Sequence, residues 1–159
     1  MDIKQQKSTP AIALAESNLA TALLFIRSGH ILLFRRAVTG FADGLYALPG
    51  GKCDQGESVI ASGIREAYEE VGITIPEADL EFGHVVHVMH TTKDTVKNWV
   101  IFFLVVSRWH EELINKEPNK HAEMRWFPLD KLPEDMIPSH RQGIISLQEK
   151  KTLFCLANY

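Results

Sequence analysis

The stretch that decides the fold runs from Gly51 to Ile73 and reads GKCDQGESVIASGIREAYEEVGI. A glycine turn, Gly50-Gly51, leads through a short polar loop into a segment with helical pattern. Ile60, Ile64, Ala67 and Val71 recur at the spacing of one helix face, Ser58 stands where an N-cap is wanted, and Gly72 stands where the chain must leave the helix. Glu66, Glu69 and Glu70 fall at i, i+3 and i+4, so this helix is expected to carry all three carboxylates on one face, turned away from the apolar stripe. Glu57 adds a fourth carboxylate just upstream.

Like charges at that spacing repel by a few tenths of a kcal/mol per pair in an isolated helix, roughly 0.2–0.5. A helix selected only for stability would not gather them, whereas a bound cation removes the conflict. Hard oxygen donors suit Mg²⁺ or Mn²⁺, ions that keep part of their water shell and bridge to substrate phosphates. The competing reading is a solvated acidic helix face, the usual fate of a charge run.

The whole pattern separates the two. Gly51, five residues, Glu57, seven residues and then Arg65-Glu66-Ala67-Tyr68-Glu69-Glu70-Val71-Gly72-Ile73 resembles the complete Nudix box at every defining position. The resemblance implies an α/β fold, the Nudix α/β/α sandwich with a central mixed sheet. It also implies hydrolysis of nucleoside diphosphates linked to another moiety, with Mg²⁺ as cofactor and Mn²⁺ able to substitute. On the motif positions, Glu66, Glu69 and Glu70 take the place of metal ligands, with Glu66 a further ligand or general base and Glu69 counted with it among the catalytic groups. Arg65 takes the place of the residue that orients the glutamates, and Glu57 and the Gly50 backbone complete the implied metal set. Asp54 stands where many relatives carry Glu, a carboxylate on a shorter stem.

Working outward, Tyr46-Ala47-Leu48-Pro49 enters the glycine turn, and Lys52 just beyond it is a candidate substrate contact. Upstream, Leu19 to Ile26 and Ile31 to Arg35 read as a β-hairpin about Arg27-Ser28-Gly29-His30, with a loop from Ala37 to Leu45 after it. Arg35 and Arg36 end the second strand and precede the phosphate site, where they are candidates for steering an anionic substrate, Arg35 first. Residues 1–16 are expected to form a loosely ordered N-terminal arm, and 17–159 a single domain.

Downstream, Pro76 to Asp79 is a turn. Leu80–Thr92 and Asn98–Arg108 should pair as an antiparallel hairpin around Thr91 to Lys97, with the second, strongly apolar strand central in the sheet. His84, His87 and His90 recur every third residue, which cannot put all three on one face of a strand; they are expected at the surface or on a pocket rim. Trp109 to Ala122 reads as a polar loop and Met124 to Leu129 as a short strand. Pro138 to Phe154 reads as an amphipathic helix closing the sheet face opposite the motif helix.

This second half resembles MutT-like nucleotide pyrophosphatases through Asn115, Glu117, Pro118 and Lys120, then Trp126 and Leu132-Pro133. The implied activity is conversion of a nucleoside triphosphate to the monophosphate and pyrophosphate. The alternatives are a nucleotide sugar, a dinucleotide or a capped RNA end as substrate, or a Nudix module that senses nucleotides without turnover. The family often completes its site with a loop Glu after the central strand. Glu112, near the strand's rim where a side chain is held more rigidly, is favoured over Glu117 for that catalytic role. Trp126 is assigned to core packing before base stacking.

Composition bounds the rest. A net charge of −3 over 159 residues argues against a long nucleic acid as partner. Two cysteines, Cys53 and Cys155, without metal-ligand spacing suggest free thiols in a reducing compartment, and the longest apolar run is too short to cross a bilayer. The expected setting is cytoplasmic, with a small-molecule nucleotide as partner, no membrane contact, and a homodimer left open.

Overall fold

The computed structural model describes residues 16–91, 96–150 and 154–158. The expected arm at 1–16 lies outside them apart from Glu16, as do the tip of the hairpin at 92–95 and Leu153. Among the described residues the elements run β1 (Ser17–Arg27), β2 (His30–Arg36), β3 (Tyr46–Ala47), α1 (Val59–Glu66), a π-helical turn (Ala67–Val71), a 3₁₀ turn (Glu77–Asp79), β4 (Leu80–Thr91), β5 (Val96–Val106), β6 (His121–Pro128), α2 (Pro138–Gln148) and β7 (Phe154–Asn158).

The strands form one mixed sheet in the order β3-β2-β1-β5-β4-β7, with β6 paired to β2. β5 is central as expected: it runs parallel to β1 from Ser17↔Asn98 to Phe25↔Val106 and antiparallel to β4. β1 and β2 are joined through Ser28 and Gly29, both at positive φ (50° and 74°), the conformation of a two-residue turn whose twist suits a hairpin. Yet β1 and β2 share only two residue pairs, Ile26↔Ile31 and Arg27↔His30. The rest of that edge of β1 is taken by the glycine loop: Thr21 N–H donates to Gly51 O, Leu23 N–H to Pro49 O, and Cys53 N–H to Leu19 O, at 2.8, 2.8 and 3.0 Å. The loop that opens the motif is thereby stitched to the centre of the sheet.

Period-two alternation divides the core into two layers. Ala22 and Leu24 of β1, Ile31 and Leu33 of β2, Ile101 and Phe103 of β5 and Ile144 of α2 pack on one face. Leu23 and Phe25, Leu32 and Phe34, Leu104 and Val106 pack on the other, against Ala67 and Val71 of the motif helix. Each fully buried side chain of this kind contributes about 1.5–3 kcal/mol. The expected sandwich, with α2 opposite α1, is therefore the observed one, and Trp126 packs part-buried in the α1-side layer.

Three expectations need correction. The last helix stops at Gln148, well before Phe154, and Lys150 has a positive φ of 48°. The chain then supplies β7, which pairs parallel with β4 from Val85↔Phe154 to Met89↔Asn158. β6 begins at His121 rather than Met124, because the loop before it closes on itself earlier. Finally, His84 is not a rim residue: a bulge between Phe82 and His84 turns it inward, 1% exposed, with Nε2 3.3 Å from the free thiol of Cys155. Burial holds its imidazole below the ordinary pKa. His87 is half-buried and His90 exposed.

Candidate active site

The motif helix starts as read. Ser58 caps α1, its side chain accepting from Ala61 N–H at 3.1 Å, and Gly72 ends the segment in the left-handed region at φ 81°. Between them α1 widens into the π turn at Ala67–Val71. This changes which residues face the sheet. Ser62, Gly63, Glu66, Ala67, Glu70 and Val71 are buried, whereas Ile60 and Ile64 are only half so. The three carboxylates do not share a solvent-facing side: Glu66 and Glu70 are 9% and 6% exposed, while the Glu69 side chain is 49% exposed. Burying two glutamates is costly unless something pairs with them.

The glycine loop supplies part of that pairing. Gly50 N–H donates to Glu70 Oε2 at 2.7 Å. Gly50 has φ 132°, and a Cβ there would lie 2.2 Å from Thr21 O; a Cβ on Gly51 would lie 2.2 Å from Glu66 Oε1. Only a chain without side chains at both positions fits between β1 and the carboxylates.

Arg65 organises the other side. Its Nε and Nη2 donate to the two oxygens of Glu57 at 2.9 and 3.0 Å, and its Nη1 donates to Glu66 at 2.8 Å and to Glu69 at 3.2 Å. The bidentate guanidinium holds the Glu57 carboxyl down at about 2, and the carboxylates around it in turn raise Arg65 well above its usual value. Glu57 is thus committed to Arg65 and does not line the cleft described below. Glu66 behaves oppositely: burial first, then the neighbouring Glu70, push its carboxyl from 4.5 up to about 7 despite Arg65.

Opposite these groups the loop after β5 comes back over the helix end. Ile114 N–H donates to Val71 O and Lys116 N–H to Glu70 O, at 3.1 and 3.0 Å. Asn115 then folds the loop, accepting from Glu117 N–H at 3.2 Å and donating to His121 O at 2.7 Å. Glu117 and His121 are delivered to Glu70, with His121 Nε2 at 3.1 Å from Glu70 and 3.8 Å from Glu117. Glu70, Glu117 and His121 present donor atoms that all lie within 4.8 Å of one another.

The result is a cleft of ≈ 370 Å³ lined by Asp54, Glu66, Glu69, Glu70 and Glu117 together with Arg36, Lys52, Arg65 and Lys120. Lys120 Nζ lies 2.7 Å from Glu117, and Lys52 Nζ sits 5.1 Å from the centre of the Trp99 ring. The donor chemistry fits a hard divalent cation: clustered carboxylate oxygens, two of them buried, with too few cations around them for neutrality. No helix of the described residues is long and apolar enough to cross a membrane.

Two candidates lie elsewhere. Glu112 is exposed and outside the cleft, because the loop docks on the helix only from Ile114 onward. Arg35 points to the α2 side of β2, where it pairs with Asp135 at 3.2 Å; strand alternation puts its neighbour Arg36 into the cleft instead. Arg36 is fixed there by donating to Phe41 O and Thr39 Oγ1, each at 3.0 Å. Sequence reading offered both arginines and settled on Arg35, although counting faces from the core residues of β2 would have favoured Arg36. His121 it passed over, and only the fold of its loop reveals it.

Comparison with known proteins agrees with this geometry. The chain is 29% identical over 106 residues to a nucleoside triphosphate pyrophosphatase/Nudix hydrolase fusion protein of Bifidobacterium longum, covering 65% of this chain but only 20% of that protein. It is 27% identical over 131 residues to an 8-oxo-dGTP diphosphatase of Buchnera aphidicola, 82% of this chain and 92% of that one. Among solved structures, the MutT NUDIX hydrolase from Burkholderia pseudomallei superimposes with a TM-score of 0.72 at 28% identity, covering 82% of this chain and 98% of the other. With the NUDIX domain model matching residues 17–147, the chain belongs to the NUDIX family.

Proposed function

We propose that the protein is a divalent-metal-dependent pyrophosphohydrolase that converts a nucleoside triphosphate to the monophosphate and pyrophosphate. The observation that carries this reading is the cleft that gathers the carboxylates Asp54, Glu66, Glu69, Glu70 and Glu117 together with the cationic side chains Arg36, Lys52, Arg65 and Lys120. Such a pairing suits a polyphosphate, whose oxygens need metal on one side and cationic side chains on the other.

In this reading Glu66, Glu69, Glu70 and Glu117 hold the cation, with the Gly50 backbone beside Glu70. When bound, Mg²⁺ or Mn²⁺ neutralises phosphate oxygens and makes a water more acidic. The chain's own residues do the rest. Arg65 spaces Glu57, Glu66 and Glu69, so that none of them swings onto another's site. Arg36, Lys52 and Lys120 steady the charge that spreads over the phosphate oxygens as the anhydride breaks. Glu66 would serve either as a ligand of that cation or, where it is left off the ion, as the carboxylate that receives the proton of the attacking water. Glu117 here takes the part expected of Glu112.

The relatives' names make 8-oxo-dGTP the first substrate to try. The test is a panel of canonical and oxidised nucleoside triphosphates, nucleotide sugars, dinucleotides and capped RNA with Mg²⁺ or Mn²⁺, read by product identity. Monophosphate plus pyrophosphate is expected. Orthophosphate release, turnover confined to the other classes, or tight binding without metal-dependent turnover would each refute the assignment. A nucleotide substrate and two free thiols fit a cytoplasmic enzyme.

A further inference from the structure

His121 is the one nitrogen donor on the wall of the cleft, and its surroundings are unusual for a packing residue. The ring is 4% exposed and lies against Phe34, centroids 4.3 Å apart. Its Nδ1 is buried with no hydrogen-bond partner. An orphaned buried nitrogen costs about 1–3 kcal/mol, so the placement of this ring must be offset by what its other nitrogen engages. Nε2 faces two carboxylates, Glu70 Oε1 at 3.1 Å and Glu117 Oε2 at 3.8 Å.

Those separations match a coordination shell. Donor atoms roughly 2.1 Å from an octahedral ion lie about 3.0 Å apart in adjacent positions and about 4.2 Å apart in opposite ones. Nε2 and Glu70, at 3.1 Å, already stand at an adjacent spacing, whereas the 3.8 Å to Glu117 must close by about 0.8 Å and a pair at the 4.8 Å limit by about 0.6 Å to reach opposite positions. The Glu70 carboxylate is preset by Gly50 N–H, and the backbones that carry the other two donors are preset by Asn115, which bonds both Glu117 N–H and His121 O.

We propose that His121 Nε2, with Glu70 and Glu117, forms a cation position that selects a first-row transition ion, Mn²⁺, over Mg²⁺. The chemical reason is the donor set. Imidazole nitrogen contributes to binding Mn²⁺ and its heavier neighbours, whereas Mg²⁺ gains little from exchanging water for nitrogen. Glu66 and Glu69, outside this trio, remain all-oxygen and suit either ion. The inference deepens the hydrolase reading by naming which residue sets the metal preference of the same cleft.

The experiment titrates Mn²⁺ alone, then Mg²⁺ alone, into the full chain without nucleotide, and records the pulsed electron-spin-echo spectrum of the bound Mn²⁺. Nitrogen modulation from a coordinated imidazole is expected in the wild-type protein and not in His121→Gln or His121→Asn. Mn²⁺ affinity should fall about tenfold or more in both variants, with Mg²⁺ affinity nearly unchanged. A wild-type spectrum without nitrogen modulation, a result that depends on no variant folding, overturns the proposal. Equal losses for the two ions also overturn it and make His121 a positioning residue. A nitrogen signal in a protein that turns over no nucleotide would uphold this site and refute the hydrolase reading; turnover without the signal would do the reverse.

Discussion

Replacing Glu66 by Gln should abolish function and stabilise the metal-free protein. In the absence of a cation, Glu66 is a buried carboxyl whose pKa is lifted from 4.5 to about 7 by desolvation and by Glu70. Each tenfold change in proton affinity is worth about 1.4 kcal/mol, so holding this group ionised costs the folded state about 3 kcal/mol. The sign follows from which state binds the proton more tightly. The folded state does, so the penalty is absent below pH 4.5, grows between 4.5 and about 7, and is complete above that. Metal-free wild-type protein should therefore lose stability as pH rises through this window. Gln removes the charge at nearly constant volume, and at pH 8 should recover about 2–3 kcal/mol, or about 5–10 °C in Tm for a chain of this length. At pH 5 the difference should shrink to about 1 kcal/mol or less. Calorimetric melts in EDTA at pH 5 and pH 8 measure both. Saturating Mg²⁺ should then stabilise the wild type more than the variant, because the cation relieves the same charge. A Glu66→Gln protein that melts below wild type at pH 8 in EDTA, or a difference independent of pH, would refute the claim that this carboxylate is held at an electrostatic cost.

Three further outcomes follow from named contacts. Glu70→Gln, which removes the charge bonded by Gly50 N–H, should lower kcat by on the order of a hundredfold or more while circular dichroism shows an intact fold; near-normal turnover at saturating Mg²⁺ would count against the site. In a paired comparison, Glu117→Gln should raise the Mg²⁺ concentration needed for half-maximal kcat and Glu112→Gln should not, since only Glu117 reaches the cleft; the reverse pattern would return the role to Glu112. Gly51→Ala should displace the Glu66 carboxylate, 2.2 Å from the added Cβ, costing about 1–3 kcal/mol of stability and most of the activity; a variant with wild-type Tm and kcat would show that the close fit has no consequence.

Local chemistry was legible from the residues alone. Ser58 and Gly72 bound the motif helix because capping depends on neighbours a few positions away. The short continuous apolar runs of β1, β2 and β5 were legible as strands because strands covered on both faces need no alternation. The carboxylate cluster was equally local, the product of i, i+3, i+4 spacing with one adjacent cation, Arg65, to offset several carboxylates. What remained hidden depends on contacts between distant segments. The π turn that carries Glu70, the glycine loop laid along β1, and the docking of residues 114–116 on the helix end together bring Glu117 to the cleft and leave Glu112 outside it. The half-turn between Arg35 and Arg36 is visible in sequence, but which of them meets the cleft is decided by the face of β2 that α1 covers. The helix expected to run to Phe154 ends at Gln148, and β7 was not read at all, for a related reason: an apolar residue such as Phe154 suits either period, and the edge of β4 selects the strand. Spacing along the chain thus determined which groups were available for chemistry, and tertiary hydrogen bonds across 20 to 90 residues decided which of them meet, because a loop side chain's position is set by where its backbone docks rather than by its neighbours in sequence.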